Sequence, residues 1–269
     1  MPLATRKRPV SAYTLKWVAL VTMVIDHIGV ISYAWLGWGR PYLTLRFIGR
    51  IAFPIFAFLL VEGFQHTRSR WTYLRNLLIF AAISELPYDL IENGLKAPFS
   101  AQNIFWSLAL GLLGMTGAEA LARECEKRHL PRPLALLGAL IPMAAAIYAG
   151  RALKVDYHSW DVLLISMIYS GEVIASFLIR DKMTPQTARN VGAALAAVAW
   201  MILYDIAHRW TNEIYGLPAV LLILLYNGER GQSRLPKWFF YAFYPAHFLI
   251  LHALRLTVIP WLLGPGAFR

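Results

Sequence analysis

The chain has 269 residues, of which 58% are hydrophobic and 15% charged, and its mean hydropathy is +0.49. This composition excludes an ordinary water-soluble domain, because apolar segments of about 20 residues, each long enough to cross roughly 30 Å of hydrocarbon, recur from end to end. The net charge of +11 does not indicate nucleic-acid binding, because topology and anionic lipid account for where the basic residues lie.

Hydropathy, with Gly, Pro and charge clusters as boundaries, predicts an all-α polytopic transmembrane bundle of about nine spans, within a range of eight to ten. The chain is predicted to form one transmembrane domain, 1–269, whose first 14 residues are a basic cytoplasmic tail. The first apolar run is expected to be retained, because it lacks the pattern of a removable signal peptide. The predicted spans are 15–35, 46–64, 72–91, 103–121, 134–148, 159–179, 190–208, 214–227 and 238–262.

The distribution of Lys and Arg predicts the orientation of the spans. Basic residues stay preferentially on the cytoplasmic side, and a cytoplasmic N-terminus places most of the 26 Lys and Arg in cytoplasmic loops. Nine spans then put the C-terminus outside. The fifth and eighth spans are short, and either could be tilted, broken or re-entrant. The single cysteine, Cys125, can form no internal disulfide.

Ionisable residues within the spans are the functional candidates, because each costs several kcal/mol in hydrocarbon unless it is paired or faces a wet cavity. Asp26 and His27 lie near the middle of the first span. Neighbouring helical residues point about 100° apart, so each is expected to find its own partner on another helix. Most of the remaining polar residues fall in the outer half of their spans: Arg46, Arg50, Glu85, Asp89, Asn103, Asp156, Asp161, Asp205, His208, His247, His252 and Arg255.

Structural explanations compete with functional ones at several positions. Arg46, Asp156 and His208 lie near span ends and could extend their polar groups to the interface. Glu62 and His66, four residues apart, could form a helix-end pair. Arg50 could form a structural ion pair with Glu85 or Asp205, an alternative of about equal weight to a ligand-binding role.

The candidate residues suit an acyl transfer. A histidine titrates near operating pH and can take a proton from an attacking amine or hydroxyl. Hydrogen-bond donors stabilise the developing oxyanion, and arginines bind anionic groups. The residues that supply these parts are Asp26, His27, Arg46, Arg50, Asn103 and His247. A proton-coupled transporter would use many of the same groups. No spacing convincingly predicts a metal site.

Six segments resemble the TraX family of integral membrane proteins. In chain order they are LKWVALVTMVIDHIG, RFIGRIAFPIFAFLLVEGFQHT, LLIFAAISELPYDL, QNIFWSLALGLL, KVDYHSWDVLLI and FYAFYPAHFLILHAL. The resemblance covers nearly the whole chain from Leu15 to about Leu256. The type member of the family N-acetylates the F-pilin subunit of a conjugative pilus. The resemblance therefore implies a membrane acetyltransferase that uses acetyl-CoA, placed in the bacterial inner (cytoplasmic) membrane.

Within that framework, we assign hypothetical roles to the polar residues. His27 is the base, and Asp26 or another acid fixes its tautomer. Five arginines are assigned to acetyl-CoA. The cytoplasmic Arg68, Arg70 and Arg75 meet its phosphates, while Arg46 and Arg50 order the site or bind an anionic group. The acceptor site is lined by Glu85, Asn103, Asp156 and His247.

The expected partners are the acyl-CoA donor, the lipid bilayer and an acceptor that is a pilin-like protein, a glycan or a small molecule. The sequence does not define an oligomeric state. Two alternatives remain: a proton-coupled transporter, although the chain shows no two matching halves, and a non-catalytic assembly protein whose polar residues serve helix packing.

Overall fold

The structure, a computed structural model, describes residues 8–36, 39–92, 99–179, 181–209, 212–232 and 235–263. These ranges contain ten α-helices and two short 3-10 turns and no β-strand, which confirms the all-helical prediction. The helices are α1 Ala12–Leu36, α2 Arg40–Gly49, α3 Ala52–His66, α4 Arg70–Glu92, α5 Ile104–Lys127, α6 Arg132–Ala152, α7 Trp160–Leu178, α8 Pro185–Ala207, α9 Leu217–Leu224 and α10 Lys237–Leu263. The 3-10 turns, Asp156–Ser159 and Glu213–Gly216, immediately precede α7 and α9.

Six segments of the described chain are long and apolar enough to cross a membrane, so a multi-pass membrane protein is confirmed. They are Ala12–Tyr33, Arg40–His66, Ile104–Lys127, Pro133–Ala152, Asp156–Leu178 and Pro185–Ala207. The nine-span count is not confirmed. Helix α4 contains Arg75, Glu85 and Asp89 within the predicted span 72–91. Helix α9 has 8 residues, and at 1.5 Å per residue it covers only about 12 Å of the roughly 30 Å of hydrocarbon.

The second predicted span is a broken helix. Helix α2 ends at Gly49, and α3 begins at Ala52 after the short connection formed by Arg50 and Ile51. Pro54 is tolerated in the first turn of α3, where a backbone N–H would have no partner within the helix. Arg50 and Ile51 keep right-handed helical backbone angles and bond to carbonyl oxygens three residues earlier, so the connection is a tightened turn.

Helices pack in antiparallel neighbours, with α5 against α6 and α7 against α8, while α10 contacts α4 and α1. The buried core includes Leu15, Phe58, Ile165, Trp200 and Phe248, which come from five different helices. Large apolar side chains remain exposed along α6, as expected of a surface that faces lipid tails.

Helices α7 and α8 touch backbone to backbone at one crossing. A Cβ atom at Gly192 would lie 2.1 Å from the carbonyl oxygen of Gly171, and a Cβ atom at Gly171 would lie 2.5 Å from that of Gly192. Small residues permit this close approach, which is how many membrane helices gain their van der Waals contact.

Candidate functional site

Asp26 and His27 contact different helices, as their positions on α1 predict. The Asp26 Oδ2 atom accepts a hydrogen bond from Arg46 Nη1 on α2 at 2.5 Å. The His27 Nδ1 atom lies 3.0 Å from His247 Nε2 on α10. The expectation that each finds a partner across helices is therefore confirmed.

The two histidines form a pair with a defined order of hydrogen bonds. His247 Nδ1 lies 3.2 Å from the carbonyl oxygen of Phe243, one turn earlier in α10. A carbonyl can only accept, so this ring nitrogen carries the hydrogen atom, and in a neutral His247 the Nε2 atom is an acceptor. His27 Nδ1 must then donate to it. This network leaves the lone pair of His27 on Nε2.

The Nε2 atom of His27, which carries the lone pair, lies in a setting that suits a general base. The His27 ring packs against the ring of Phe248, with 4.6 Å between centroids, while His247 is buried. The His27 side chain is partly exposed, and its ring also bonds to the backbone of Met23, one turn earlier in α1. No hydrogen bond of its Nε2 atom is found among the residues that the structure describes. The group that orients His27 is thus a second histidine, and not the acid that the sequence analysis assigned.

The Asp26 carboxylate is ion-paired with Arg46 where α1 packs closely against α2. Both side chains are mostly buried, with 16% and 23% of their surface exposed. A Cβ atom at Gly49 would lie 2.0 Å from Asp26 Oδ1, so glycine is needed there for the carboxylate to fit. The Asp26 Oδ1 atom itself is enclosed and has no hydrogen-bond partner within the described ranges.

We expect Asp26→Asn to lower the free energy of unfolding by about 1 to 3 kcal/mol, because it leaves a mostly buried guanidinium without its counter-charge. Thermal unfolding in detergent would measure the change. The double variant Asp26→Asn/Arg46→Gln should recover part of the loss, whereas purely additive losses would show that the two groups are not coupled. Arg123→Gln, which breaks an exposed pair with Glu119, is the control and should change stability by about 0.5 kcal/mol or less.

Arg50 forms its ion pair with a residue that the sequence analysis did not consider. Its Nη1 atom lies 3.1 Å from Glu213 Oε1, in the 3-10 turn before α9, and donates to the Tyr157 hydroxyl at 2.6 Å. The predicted partners were Glu85 and Asp205. Asp205 instead accepts from the backbone N–H groups of the turn that carries Glu213. Asp205 therefore shapes the turn, and the turn presents Glu213 to Arg50.

Asp156 lies in the same polar cluster, within electrostatic range of Arg46, Asp26 and Arg50. Its Oδ1 atom accepts from the backbone N–H of Tyr157 at 3.0 Å. Asp26, Arg46, Arg50, Asp156 and two residues not predicted, Tyr157 and Glu213, thus gather near the ends of α2 and the 3-10 turns. We name this group the outer cluster, because most of the candidate residues among its members are predicted to lie in the outer halves of their spans.

Glu85 and Asn103 form a separate buried network between α4 and α5. The Asn103 amide donates to Glu85 Oε2 and, at 2.8 Å, to the carbonyl oxygen of Ala81. Its oxygen accepts from Phe105 N at 3.1 Å and so caps the start of α5. Trp106 Nε1 adds a bond to Glu85 at 3.0 Å. Both amide hydrogens are used in helix packing, so a substrate-binding role for Asn103 stays a prediction.

The three remaining arginines lie at the opposite end of α3. Helix α3 has 15 residues, so Arg50 before its start and Arg68 beyond its end are separated by about 22 Å. Arg70 pairs with Glu119 and lies 4.2 Å from the Phe64 ring centroid, while Arg68 and Arg75 are exposed. The five arginines assigned to acetyl-CoA therefore do not form one site.

Tyr157 and Glu213 were missed because their partners are distant in the chain. The sequence signal that was available is weak: Tyr157 directly follows the candidate Asp156, and Glu213 is an acid directly before a short apolar run. Neither residue lies four positions from Arg50, the residue that it contacts, so the i,i+4 spacing that draws attention to paired residues on one helix could not reveal these contacts.

The fold and the site define a multi-pass helical membrane protein with a polar cluster and a histidine pair inside its bundle. The chain belongs to the TraX family, because the family model described as TraX protein matches residues 11–255. The resemblance seen in the sequence is thereby confirmed. The chain is also similar to the probable fimbrial assembly protein FimC, serogroup H1, of Dichelobacter nodosus, with 27% identity over 261 residues that cover 91% of this chain and 96% of that protein. No solved structure matches.

Proposed function

We propose that this protein is an integral membrane acetyltransferase that moves an acetyl group from acetyl-CoA to an amine or hydroxyl acceptor. The observation that carries the proposal is the hydrogen-bonded pair of His27 and His247, which leaves one ring nitrogen of the partly exposed His27 residue without a partner in the described part of the chain. In this proposal His27 is the catalytic base, and His247 is a positioning residue.

The reaction needs one proton acceptor near the acyl group. The nitrogen or oxygen of the acceptor attacks the thioester carbon, and His27 Nε2 takes its proton. The carbonyl oxygen becomes negatively charged until the carbon–sulfur bond breaks. The departing thiolate of CoA then takes the proton from His27, so the products are the acetylated acceptor and CoA. His27 Nδ1 keeps its hydrogen bond to His247 throughout.

The charges of the outer cluster favour an amine as acceptor. Its acids, Asp26, Asp156 and Glu213, outnumber its arginines, Arg46 and Arg50. Such an excess of carboxyl groups attracts a cationic ammonium group to the site before it is deprotonated. A pilin-like protein with a free amine fits this setting, and the name of the Dichelobacter nodosus relative places that protein in fimbrial assembly. A glycan or small molecule with an amine would satisfy the same charges.

The proposed orientation places the two groups of arginines on opposite sides of an inner (cytoplasmic) membrane. With a cytoplasmic N-terminus and nine spans in one domain, Arg68, Arg70 and Arg75 face the cytoplasm and meet the phosphates of acetyl-CoA. Arg46 and Arg50 belong to the outer half, where they order the site of transfer. Of the residues assigned to the acceptor, Asp156 lies in the outer cluster, while Glu85 and Asn103 lie in the separate network between α4 and α5.

The test is to incubate the purified protein in lipid nanodiscs with labelled acetyl-CoA and a peptide that carries a free N-terminal amine. We expect label in the peptide. We also expect CoA to raise the unfolding temperature, because a ligand at about 100 times its Kd stabilises the folded state by about 2.7 kcal/mol. The variant Arg68→Ala/Arg75→Ala should weaken CoA binding about tenfold or more, while Arg123→Ala/Arg128→Ala, which removes two other exposed arginines, should not.

The other functions predict different results. A proton-coupled transporter would carry solute into proteoliposomes without acetyl-CoA. A non-catalytic assembly protein, which the name of the fimbrial relative also suits, would show neither transfer nor a shift with CoA. Absence of both would overturn the acetyltransferase proposal.

A further inference from the structure

Tyr157 is held in an unusual backbone conformation. Tyr157, His158 and Ser159 all have positive φ angles, of 53°, 50° and 80°. Left-handed conformations cost non-glycine residues roughly 1 kcal/mol or more each, and three in succession persist only where the surroundings impose them. A segment with this conformation beside a polar cluster is a place to look for a functional side chain.

The surroundings fix this turn from both sides. The backbone of Gln102 accepts from Asp156 N at 2.9 Å and donates to Lys154 O at 2.9 Å. On the other side, Trp200 Nε1 donates to the carbonyl oxygen of Trp160 at 2.6 Å. The turn is therefore anchored to the segment before α5 and to α8, and its strained residues are kept in place.

The turn directs the Tyr157 side chain toward Arg50. Its ring stacks on Phe53 with 6.0 Å between centroids, and its hydroxyl accepts the short bond from Arg50 Nη1. A phenol can both accept and donate, and no acceptor for its hydrogen is found in the described part of the chain. Neither Glu213 Oε1, which is ion-paired with Arg50, nor Asp26 Oδ1 accepts a hydrogen bond from it. The hydroxyl is thus available as a donor, and the adjacent guanidinium increases its tendency to donate.

We propose that Tyr157 is a substrate-binding residue that donates a hydrogen bond to the carbonyl oxygen of the acyl group as this oxygen becomes negative. The inference rests on the proposed acetyl transfer, and it names a residue for the oxyanion that the transfer creates. Arg50 acts through Tyr157, because it holds the hydroxyl and lends it positive charge. Its Nε atom, enclosed and without a partner in the described ranges, is a second donor in the same place.

The test compares Tyr157→Phe with the wild type and with Tyr215→Phe. Phenylalanine keeps the ring that stacks on Phe53 and removes only the hydroxyl. Tyr215 is a matched control because its ring stacks on Phe47 near the same cluster, at 4.0 Å between centroids. Loss of one oxyanion donor lowers kcat by about 10²-fold, so we expect that loss for Tyr157→Phe, with little change in the KM for the acceptor and full activity for Tyr215→Phe.

A binding measurement gives a readout that does not depend on turnover. Calorimetry would compare CoA with an analogue of acetyl-CoA in which a methylene group replaces the sulfur and the carbonyl is kept. We expect the wild type to bind the analogue more tightly than CoA, and Tyr157→Phe to lose that difference while its Kd for CoA stays the same.

The outcomes separate this inference from the proposed function. Transfer by the wild type with an unchanged kcat in Tyr157→Phe would overturn the role of Tyr157 and leave the acetyltransferase intact. A raised KM for the acceptor with unchanged kcat would also overturn it, because the hydroxyl would then bind the acceptor equally in ground and transition states. No transfer and no CoA binding by the wild type would overturn both proposals.

Discussion

His27→Ala is expected to lower the rate of acetyl transfer by about 10²- to 10⁴-fold, the range that a general base contributes. The substitution removes the one nitrogen of the histidine pair that the hydrogen bonds leave as a free acceptor. His27 is only partly buried, and among the described residues the aromatic rings that it contacts are those of His247 and Phe248, so the variant should stay folded. Initial rates with labelled acetyl-CoA, together with the unfolding temperature, would measure both effects.

His208→Ala is the matched control for this prediction. His208 makes the same kind of bond as His247, from Nδ1 to the carbonyl of the residue one turn earlier, at 3.1 Å, but it is exposed and lies outside the pair. Its replacement should leave the rate within about twofold of the wild type, because no general base is removed. A folded His27→Ala protein that keeps full activity would show that another group takes the proton.

From the sequence, the residues that make up the site could be predicted better than the contacts between them. Helical geometry alone showed that Asp26 and His27 could not serve one another, and their separate partners follow that rule. Which residues they contact depends on how α1 packs against α2 and α10, and nothing local in the chain encodes that packing. An acid was therefore assigned to orient His27, where the structure has His247.

The contacts of Arg50 could not be predicted from the sequence either. Its predicted partners were chosen from acids within the spans, but Arg50 lies in the short connection between α2 and α3 and contacts the turn that carries Glu213. The acid that it contacts, Glu213, is placed by a short 3-10 turn held by Asp205. Neither the break nor the turn produces a hydropathy signal, so the pair could not be deduced from periodicity.

The predicted count of nine spans was not confirmed, for a related reason. Hydropathy responds to apolar runs, and the run at 214–227 is long enough to be counted as a short span. In the structure this run forms a 3-10 turn followed directly by the 8-residue helix α9, which has Pro218 in its first turn. The apolar residues of α9 are explained by packing against α3 and α8.

Gly192→Ala is expected to destabilise the protein by about 1 to 3 kcal/mol, although alanine favours a helix more than glycine does. The added methyl group would lie 2.1 Å from the backbone oxygen of Gly171 and 2.8 Å from the Cβ atom of Ala175. Backbone atoms cannot rotate away, so α7 and α8 must separate and lose van der Waals contact along the crossing. For a chain of this size the unfolding temperature should fall by about 2 to 12 °C.

Gly138→Ala provides the matched control on α6. A Cβ atom there would meet only the flexible end of Leu121, at 3.3 Å, so the gain in helix propensity should leave stability unchanged or raised by up to about 1 kcal/mol. Gly171→Ala, whose Cβ atom would lie 2.5 Å from the Gly192 oxygen, should reproduce the loss from the other side of the crossing. If both Gly192→Ala and Gly171→Ala unfold at the temperature of the wild type, the two backbones do not touch, and another contact must hold α7 against α8.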